Sequence, residues 1–297
     1  MGPISRRKAG KILLAGAAGI LAVRRGLRGA EKIDSVVRGV PLGAQSYSFR
    51  DRDLDACIAG FRAVGLGECE LWQGHVEPSK MKWAELKKWR LETPLSHFEQ
   101  VRKKFDDAGI HLHAYNYSFR REMSEQEIER GFEMAKALGV SIITASANVS
   151  TAARVDKYAA KHKIRVGFHG HDQTSNPDEF STPETFARAM QGASEYICIN
   201  LDIGHFVAAG GDPVAYIKEH HDRIVALHLK DRKKNHGANL PFGQGDTPIG
   251  PALRLLRDNH WRIYSNIEYE YGEEIKGLDT LAEVKKCYAY CRKELES

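Results

Sequence analysis

Eight short runs rich in apolar and β-branched residues recur along the chain, each followed by a segment of helical or looped character. They are Leu42 to Phe49, Glu68 to Trp72, His111 to Phe119, Ser141 to Asn148, Ile164 to His171, Ile197 to His205, Ile224 to Asp231 and Tyr264 to Glu270. Strands that alternate with helices pair in parallel, and eight of them close on themselves. The expected fold class is therefore α/β, a (β/α)8 TIM barrel. The helical segments carry their own punctuation. Ser124-Glu125-Gln126-Glu127 reads as a capping box, and Ser181-Thr182-Pro183-Glu184 as a second one with a proline suited to the first turn. Gly109 and Gly139 each stand where a helix ends in a left-handed residue before a strand begins. No low-complexity linker interrupts residues 37–297, which read as one domain of the size such barrels take.

The polar residues gather at the ends of the last strands. Asp202-Ile-Gly-His205, His228-Leu-Lys-Asp231 and Ile267-Glu268-Tyr269-Glu270 each fall where a strand runs out, about one βα unit apart. The C-terminal ends of consecutive parallel strands converge on one face of a barrel, so carboxylates and imidazoles distant in sequence can share one divalent cation. Residues i and i+2 of a strand point the same way, which aims His228 and Lys230 inward while Leu227 and Leu229 pack outward. Taken singly, Asp202 could cap the next segment, His228 could be a core histidine and Glu268 could lie on a solvated edge. The ordered series favours a metal site.

Residues 1–30 differ from the rest. They hold Arg6, Arg7, Lys8, Lys11, Arg24, Arg25 and Arg28 with no acidic residue, around an apolar run from Ile12 to Val23. That run is shorter than the roughly 20 residues needed to span a bilayer, and Ser5-Arg6-Arg7-Lys8 resembles a twin-arginine export signal. It lacks a bulky apolar residue after the arginines and a clean A-x-A cleavage site. The expectation is a periplasmic or secreted protein, tethered to the membrane if the signal is uncleaved. Setting those seven cations aside takes the formal charge from +5 to −2. A mildly acidic domain is poorly suited to a phosphate backbone, which disfavours nucleic acid as a partner. Of the five cysteines, Cys69 and Cys198 lie in apolar runs and read as small buried hydrophobes. Cys287 and Cys291, four apart on a helix, are badly placed for a disulfide.

From about Val37 to the C-terminus the sequence resembles the xylose isomerase-like barrels, which include sugar phosphate isomerases and epimerases, inosose dehydratases and endonuclease IV-type repair enzymes. The resemblance rests on Asp202-x-x-His205, His228-x-Lys230-Asp231, the loop Gly243-Gln244-Gly245-Asp246-Thr247-Pro248-Ile249, and Glu268. It implies one divalent cation, manganese before zinc, cobalt, iron or magnesium, held by Asp202, His228, Glu268 and a residue of strand five. Many relatives carry Glu there. This chain reads Gly167-Phe168-His169-Gly170-His171-Asp172, which sets His169 in the ligand position and leaves His171 as an alternative ligand or as an acid or base. Imidazole is a sound ligand for manganese, zinc, iron or cobalt. His205 and Lys230 take supporting or substrate-binding roles by the same resemblance.

The implied chemistry is proton transfer next to a carbonyl of a non-phosphorylated sugar, keto-sugar or cyclitol, by an isomerase or epimerase with Glu268, His171 or His205 as the base. Epimerases of this kind are thought to pass a proton between carboxylates on strands five and eight. Losing one of them weighs toward isomerisation or toward a dehydratase-like β-elimination. Glu70, Trp72, His75 and His113, with Tyr47, Phe49, Tyr115 and the Asn116 region behind them, are candidate substrate contacts. Two other classes compete. A three-metal repair enzyme could draw on His75, His113, His205 and His236, against the acidic domain and the export signal. A secreted, non-catalytic carbohydrate-binding barrel would make a full ligand quartet superfluous. Homo-oligomerisation stays open.

Overall fold

The computed structural model describes residues 31–297, so the expected export signal lies outside the described residues. Eight parallel strands form a closed barrel: Val40–Gln45, Glu68–Trp72, His111–Asn116, Ile142–Ala145, Arg165–His169, Ile197–Asp202, Ile224–Leu229 and Tyr264–Ile267. The first strand pairs with both the second and the eighth, which closes the ring. All eight coincide with the apolar runs of the sequence, but seven are shorter than expected. The excess residues, such as Ser46–Phe49 and Ile203 to His205, turn into helix where the chain leaves the barrel rim.

Helices wrap the outside, and their apolar faces join the outward residues of the strands in the main core. Leu42, Ala44, Cys69 and Leu71 lie there, fully buried. All five cysteines are buried and free; Cys69 and Cys198 are buried as their apolar runs implied, and Cys287 and Cys291 form no disulfide. The barrel interior is layered. Near its N-terminal end Ala114, Ile142, Cys198 and Val225 form a small apolar cluster separate from the main core, with Tyr264 packed on it. Above this floor the interior turns polar with Glu70, Thr144, Asn200, His228 and Asn266, all wholly buried. Barrel interiors are filled by stacked layers of side chains, and here the layer below the C-terminal rim has been given to hydrogen bonding.

The caps follow the sequence with one correction. Ser124 accepts from the Glu127 amide at 3.3 Å while the Glu127 carboxylate accepts from the Ser124 amide at 2.8 Å, a full capping box. At the second expected box the cap is Thr182, one residue later than Ser181, with Pro183 in the first turn and Thr185 as the reciprocal partner. Gly109 and Gly139 have φ of 72° and 68°, as a left-handed helix end requires. At the barrel's N-terminal end the Ile33 amide donates to the Gly109 carbonyl at 2.9 Å. A Cβ on Gly67 would stand 2.0 Å from the Ile33 carbonyl oxygen, so the incoming chain crosses the barrel floor where only glycine leaves room. No helix among the described residues is long and apolar enough to cross a membrane.

Candidate metal centre and cleft

Four side chains from four consecutive strand ends meet at the C-terminal rim: His169, Asp202, His228 and, just past the eighth strand, Glu268. One ligand atom from each lies within 4.8 Å of the others. His169 Nε2 is 3.4 Å from Asp202 Oδ2 and 4.0 Å from Glu268 Oε2, and His228 Nδ1 is 3.2 Å from Glu268 Oε2. These four atoms are buried, yet none makes a hydrogen bond of proper geometry. Buried polar atoms without a hydrogen bond are costly, and four converging on one point are what a cation site requires. The donor set of two imidazoles and two carboxylates suits a divalent first-row metal.

Asp202 and His228 are each aimed at the cluster by their other polar atom. Asp202 caps the helix Ile203–Ala208, its Oδ1 accepting from the His205 amide at 2.7 Å, which turns Oδ2 toward the cluster. The capping reading of Asp202 is therefore realised, with Oδ2 left to face the cluster. His228 Nε2 faces both carboxylate oxygens of Glu70 at 3.0 Å, which turns Nδ1 to the cluster. Glu70 also accepts from Gln45 Nε2 at 2.9 Å, Asn266 Nδ2 at 2.8 Å and Thr144 Oγ1 at 2.5 Å. A carboxylate behind a ligand histidine fixes the tautomer and raises the basicity of the ring.

Lys230 completes the charge pattern. Its Nζ is 3.1 Å from Asp202 Oδ2, 2.9 Å from Glu268 Oε2 and 2.6 Å from Glu270 Oε2. Burial opposes ionisation of Asp202 and Glu268, but the Lys230 ammonium and neighbouring imidazoles hold both well below the usual carboxylate range. Burial likewise opposes the charge on Lys230, and the three carboxylates outweigh it and push its pKa well above that of an ordinary lysine. Burial pushes the His169 imidazole down to about 3 despite its contact with Asp202, leaving a neutral ring with a lone pair to offer.

A cleft of about 220 Å³ opens above the cluster. Its two halves differ. His169, His171, His205, Lys230, Glu268 and Glu270 line one side, and Gln45, Tyr47, Trp72, Asn116, Ser118 and Ser146 the other. Tyr47 and Trp72 meet edge to face at 5.0 Å, an aromatic wall beside neutral hydrogen-bonding groups.

The structure places three of the expected substrate contacts, Glu70, His113 and His75, away from the cleft lining. Glu70 is wholly buried beneath the cluster, where it holds His228. His113 lies deeper, stacked on Tyr264 at 3.9 Å with its Nε2 3.3 Å from Asn266 Nδ2. His75 sits in the turn after the second strand, its ring against Ser46 Oγ at 2.9 Å and the carbonyls of Phe49 and Arg52. None of the three lines the cleft. Phe49 and Tyr115 are wholly buried in the core. His205 stands on a helix, not on the sixth strand, and still reaches the cleft. His75, His113, His205 and His236 do not form a second ligand group among the described residues. Glu270 was missed as a wall residue, although the i, i+2 alternation from Glu268 points to it. Glu179 and Arg232, which back His171 and His205, carry no such signal: Glu179 sits in a loop and Arg232 in the two-residue strand Asp231–Arg232 past the rim.

The loop Gly243 to Ile249 owes its glycines to Asp231. The Asp231 carboxylate accepts from the amides of Gly243, Gly245 and Thr247 at 2.8, 2.9 and 3.2 Å. A Cβ on Gly245 would fall 2.0 Å from Asp231 Oδ1. The motif therefore anchors the strand-seven loop and does not enter the cleft.

The chain is 27% identical over 140 residues to an inosose dehydratase of Clostridium botulinum, an alignment covering 41% of this chain and 46% of that protein. It thus spans about half the length of the curated relatives it matches. Among solved structures, a sugar phosphate isomerase/epimerase from Parabacteroides distasonis superimposes with a TM-score of 0.62 at 17% identity, covering 90% of this chain and 98% of that one. The IolI protein with a bound zinc atom gives a TM-score of 0.63 at 16% identity, covering 86% and 98%. At such identities the two structures speak for the fold. The family model described as xylose isomerase-like TIM barrel matches residues 59–287. The chain belongs to the xylose isomerase-like TIM barrel family.

Proposed function

We propose that this protein is a divalent-metal-dependent enzyme of isomerase or epimerase type that moves a proton next to the carbonyl of a non-phosphorylated sugar, keto-sugar or cyclitol. The observation that carries the reading is the convergence of four buried atoms able to ligate a cation and lacking a hydrogen bond, from His169, Asp202, His228 and Glu268, on the floor of a polar cleft. Those four residues would hold the ion. When bound, a divalent cation polarises a carbonyl and an adjacent hydroxyl and so favours loss of the neighbouring C–H proton. Glu268, His171 and His205 are the groups within the cleft able to take or return that proton. Lys230 offers an ammonium to a substrate oxygen, and the Tyr47 and Trp72 wall suits the C–H face of a sugar ring. Among the described residues Lys230 is the one lysine or arginine in the wall and is already engaged by three carboxylates, which fits a neutral substrate better than a phosphorylated one.

β-Elimination is the second reading. It is favoured by His169 standing where a carboxylate would permit a symmetric proton exchange with Glu268, and by the partial similarity to inosose dehydratase. Reconstituted protein should be incubated in D2O with keto-sugars, cyclitol ketones and glycoside derivatives and followed by NMR and ultraviolet absorbance. Deuterium entering beside the carbonyl with no loss of water or alcohol supports the first reading. Release of water or alcohol with growth of a conjugated carbonyl supports the second. Tight binding with neither reaction would leave a carbohydrate-binding barrel and reject both.

A further inference from the structure

The neutral half of the cleft has a fixed hydrogen-bonding polarity. Gln45 and Asn116 end the first and third strands and are 4% and 6% exposed. Strand register sets each beside an acceptor on the next strand, Gln45 beside Glu70 and Asn116 beside Thr144. Asn116 Nδ2 donates to the Thr144 carbonyl at 3.3 Å and to Thr144 Oγ1 at 3.2 Å. A carbonyl only accepts, so a flipped Asn116 would set oxygen against oxygen. Gln45 Nε2 donates to Glu70 Oε1 at 2.9 Å, and the same flip there would press its carbonyl oxygen against the carboxyl group.

The other atom of each carboxamide is what the cleft receives. Gln45 Oε1 and Asn116 Oδ1 accept no hydrogen bond among the described residues, yet they are not sealed in the interior as Asn200 Oδ1 and Asn266 Oδ1 are. Both side chains line the cleft, on the side away from Lys230 and Glu268. The hydroxyls of Ser118 and Ser146 beside them can turn to give or to take a hydrogen. The two carboxamide oxygens cannot.

We infer that Gln45 and Asn116 are specificity-determining residues whose pinned carbonyl oxygens take hydroxyl hydrogens from the part of the substrate remote from the reacting carbonyl. This rests on the reading of the cleft as a sugar-processing site and narrows its substrate class to polyhydroxylated compounds with free hydroxyls on that side. A carboxylate, phosphate or ether oxygen placed there would meet acceptor with acceptor, losing its water without gaining a hydrogen bond.

The orientation is read first, by proton–nitrogen correlation of the side-chain amides in zinc-loaded protein without ligand, assigned by triple-resonance methods. The NH2 groups of Gln45 and Asn116 should exchange slowly with solvent, and that of Asn116 should show a nuclear Overhauser contact to the Thr144 side chain. Fast exchange without that contact would overturn the inference. Saturation-transfer NMR then compares myo-inositol and D-xylose with their singly deoxygenated analogues. At least one analogue should bind about 2- to 10-fold more weakly than its parent, the scale of one neutral hydrogen bond, and the difference should vanish in Asn116→Leu or Gln45→Met. No binding of either parent, or a difference that survives in both folded variants, would also overturn it. Should the variants fail to fold, the amide orientation in the wild type decides. Binding with this dependence but no deuterium exchange would reject the proposed reaction and keep these contacts, whereas NH2 groups turned into the cleft would reject the contacts alone.

Discussion

His228 Nε2 stands 3.0 Å from both oxygens of the Glu70 carboxylate, and neither side chain is exposed at all. Burial works against a charge on His228, but Glu70 and Glu268 on either side push its pKa well above the ordinary histidine value. Glu70 thus holds an N–H on Nε2 and leaves Nδ1 to face the cluster. Glu70→Gln replaces an oxygen that only accepts with an amide that donates among Gln45, Asn266 and Thr144. The expected outcome is a metal affinity lower by about 10- to 100-fold, read by chelator competition. An unchanged affinity would reduce Glu70 to a packing role.

The two strand-five histidines should fail differently when truncated. His169→Ala removes a ligand and should lose metal and turnover together. His171→Ala should keep full metal content and slow turnover by about 10²- to 10⁴-fold, the scale for a lost acid or base. Elemental analysis beside steady-state rates separates the two. Swapped phenotypes would exchange the assignments.

Burial pushes the His113 imidazole down to about 3, with the Glu70 carboxylate only partly opposing it. The sign follows from linkage. Above the unfolded value of about 6.5 both states are neutral and the site contributes fully, while below it the unfolded chain takes up a proton that the folded one refuses. Stability should therefore fall by up to about 1.4 kcal/mol per pH unit from this residue as the pH drops from about 6 toward 4. His169, also pushed down to about 3, adds its own share when no cation is bound. Denaturant unfolding at several pH values should show a shallower slope for His113→Gln than for the wild type, and equal slopes would remove His113 from the account.

Export is tested on the first residues of the chain. Changing Arg6 and Arg7 to lysine keeps the charge and removes the arginine pair, so a twin-arginine substrate should stay in the cytoplasm. Fractionation of cells expressing both forms decides it. Equal periplasmic accumulation would point to another route.

Loading of the proposed site has its own check. The His228→Ala, Glu268→Ala double variant should fall below about half an equivalent of metal under conditions that saturate the wild type, because removing half of a four-ligand set leaves an open coordination sphere. Full occupancy in that variant would place the ion elsewhere.

The barrel and the cluster were both legible in the sequence for the same reason: strand periodicity is local, and parallel βα units deliver their C-terminal ends to one rim. Eight apolar runs determined the eight strands, and Asp202, His228, Glu268 and His169 determined the four residues at the rim. Local pattern overextended strands into the turns, because Ile203 to Ala208 is as apolar as the strand before it and only the Asp202 cap marks the break. Depth was invisible to it. Glu70, His113 and Trp72 share the look of inward polar or aromatic residues, yet Trp72 lines the cleft while Glu70 holds a ligand and His113 lies on the floor. Height along the barrel axis depends on strand stagger, which no single strand encodes. The partners of the cleft histidines were likewise decided only by tertiary structure: Glu179 is eight residues beyond His171 in a loop, and Arg232 is 27 beyond His205 in a two-residue strand whose place no periodicity records.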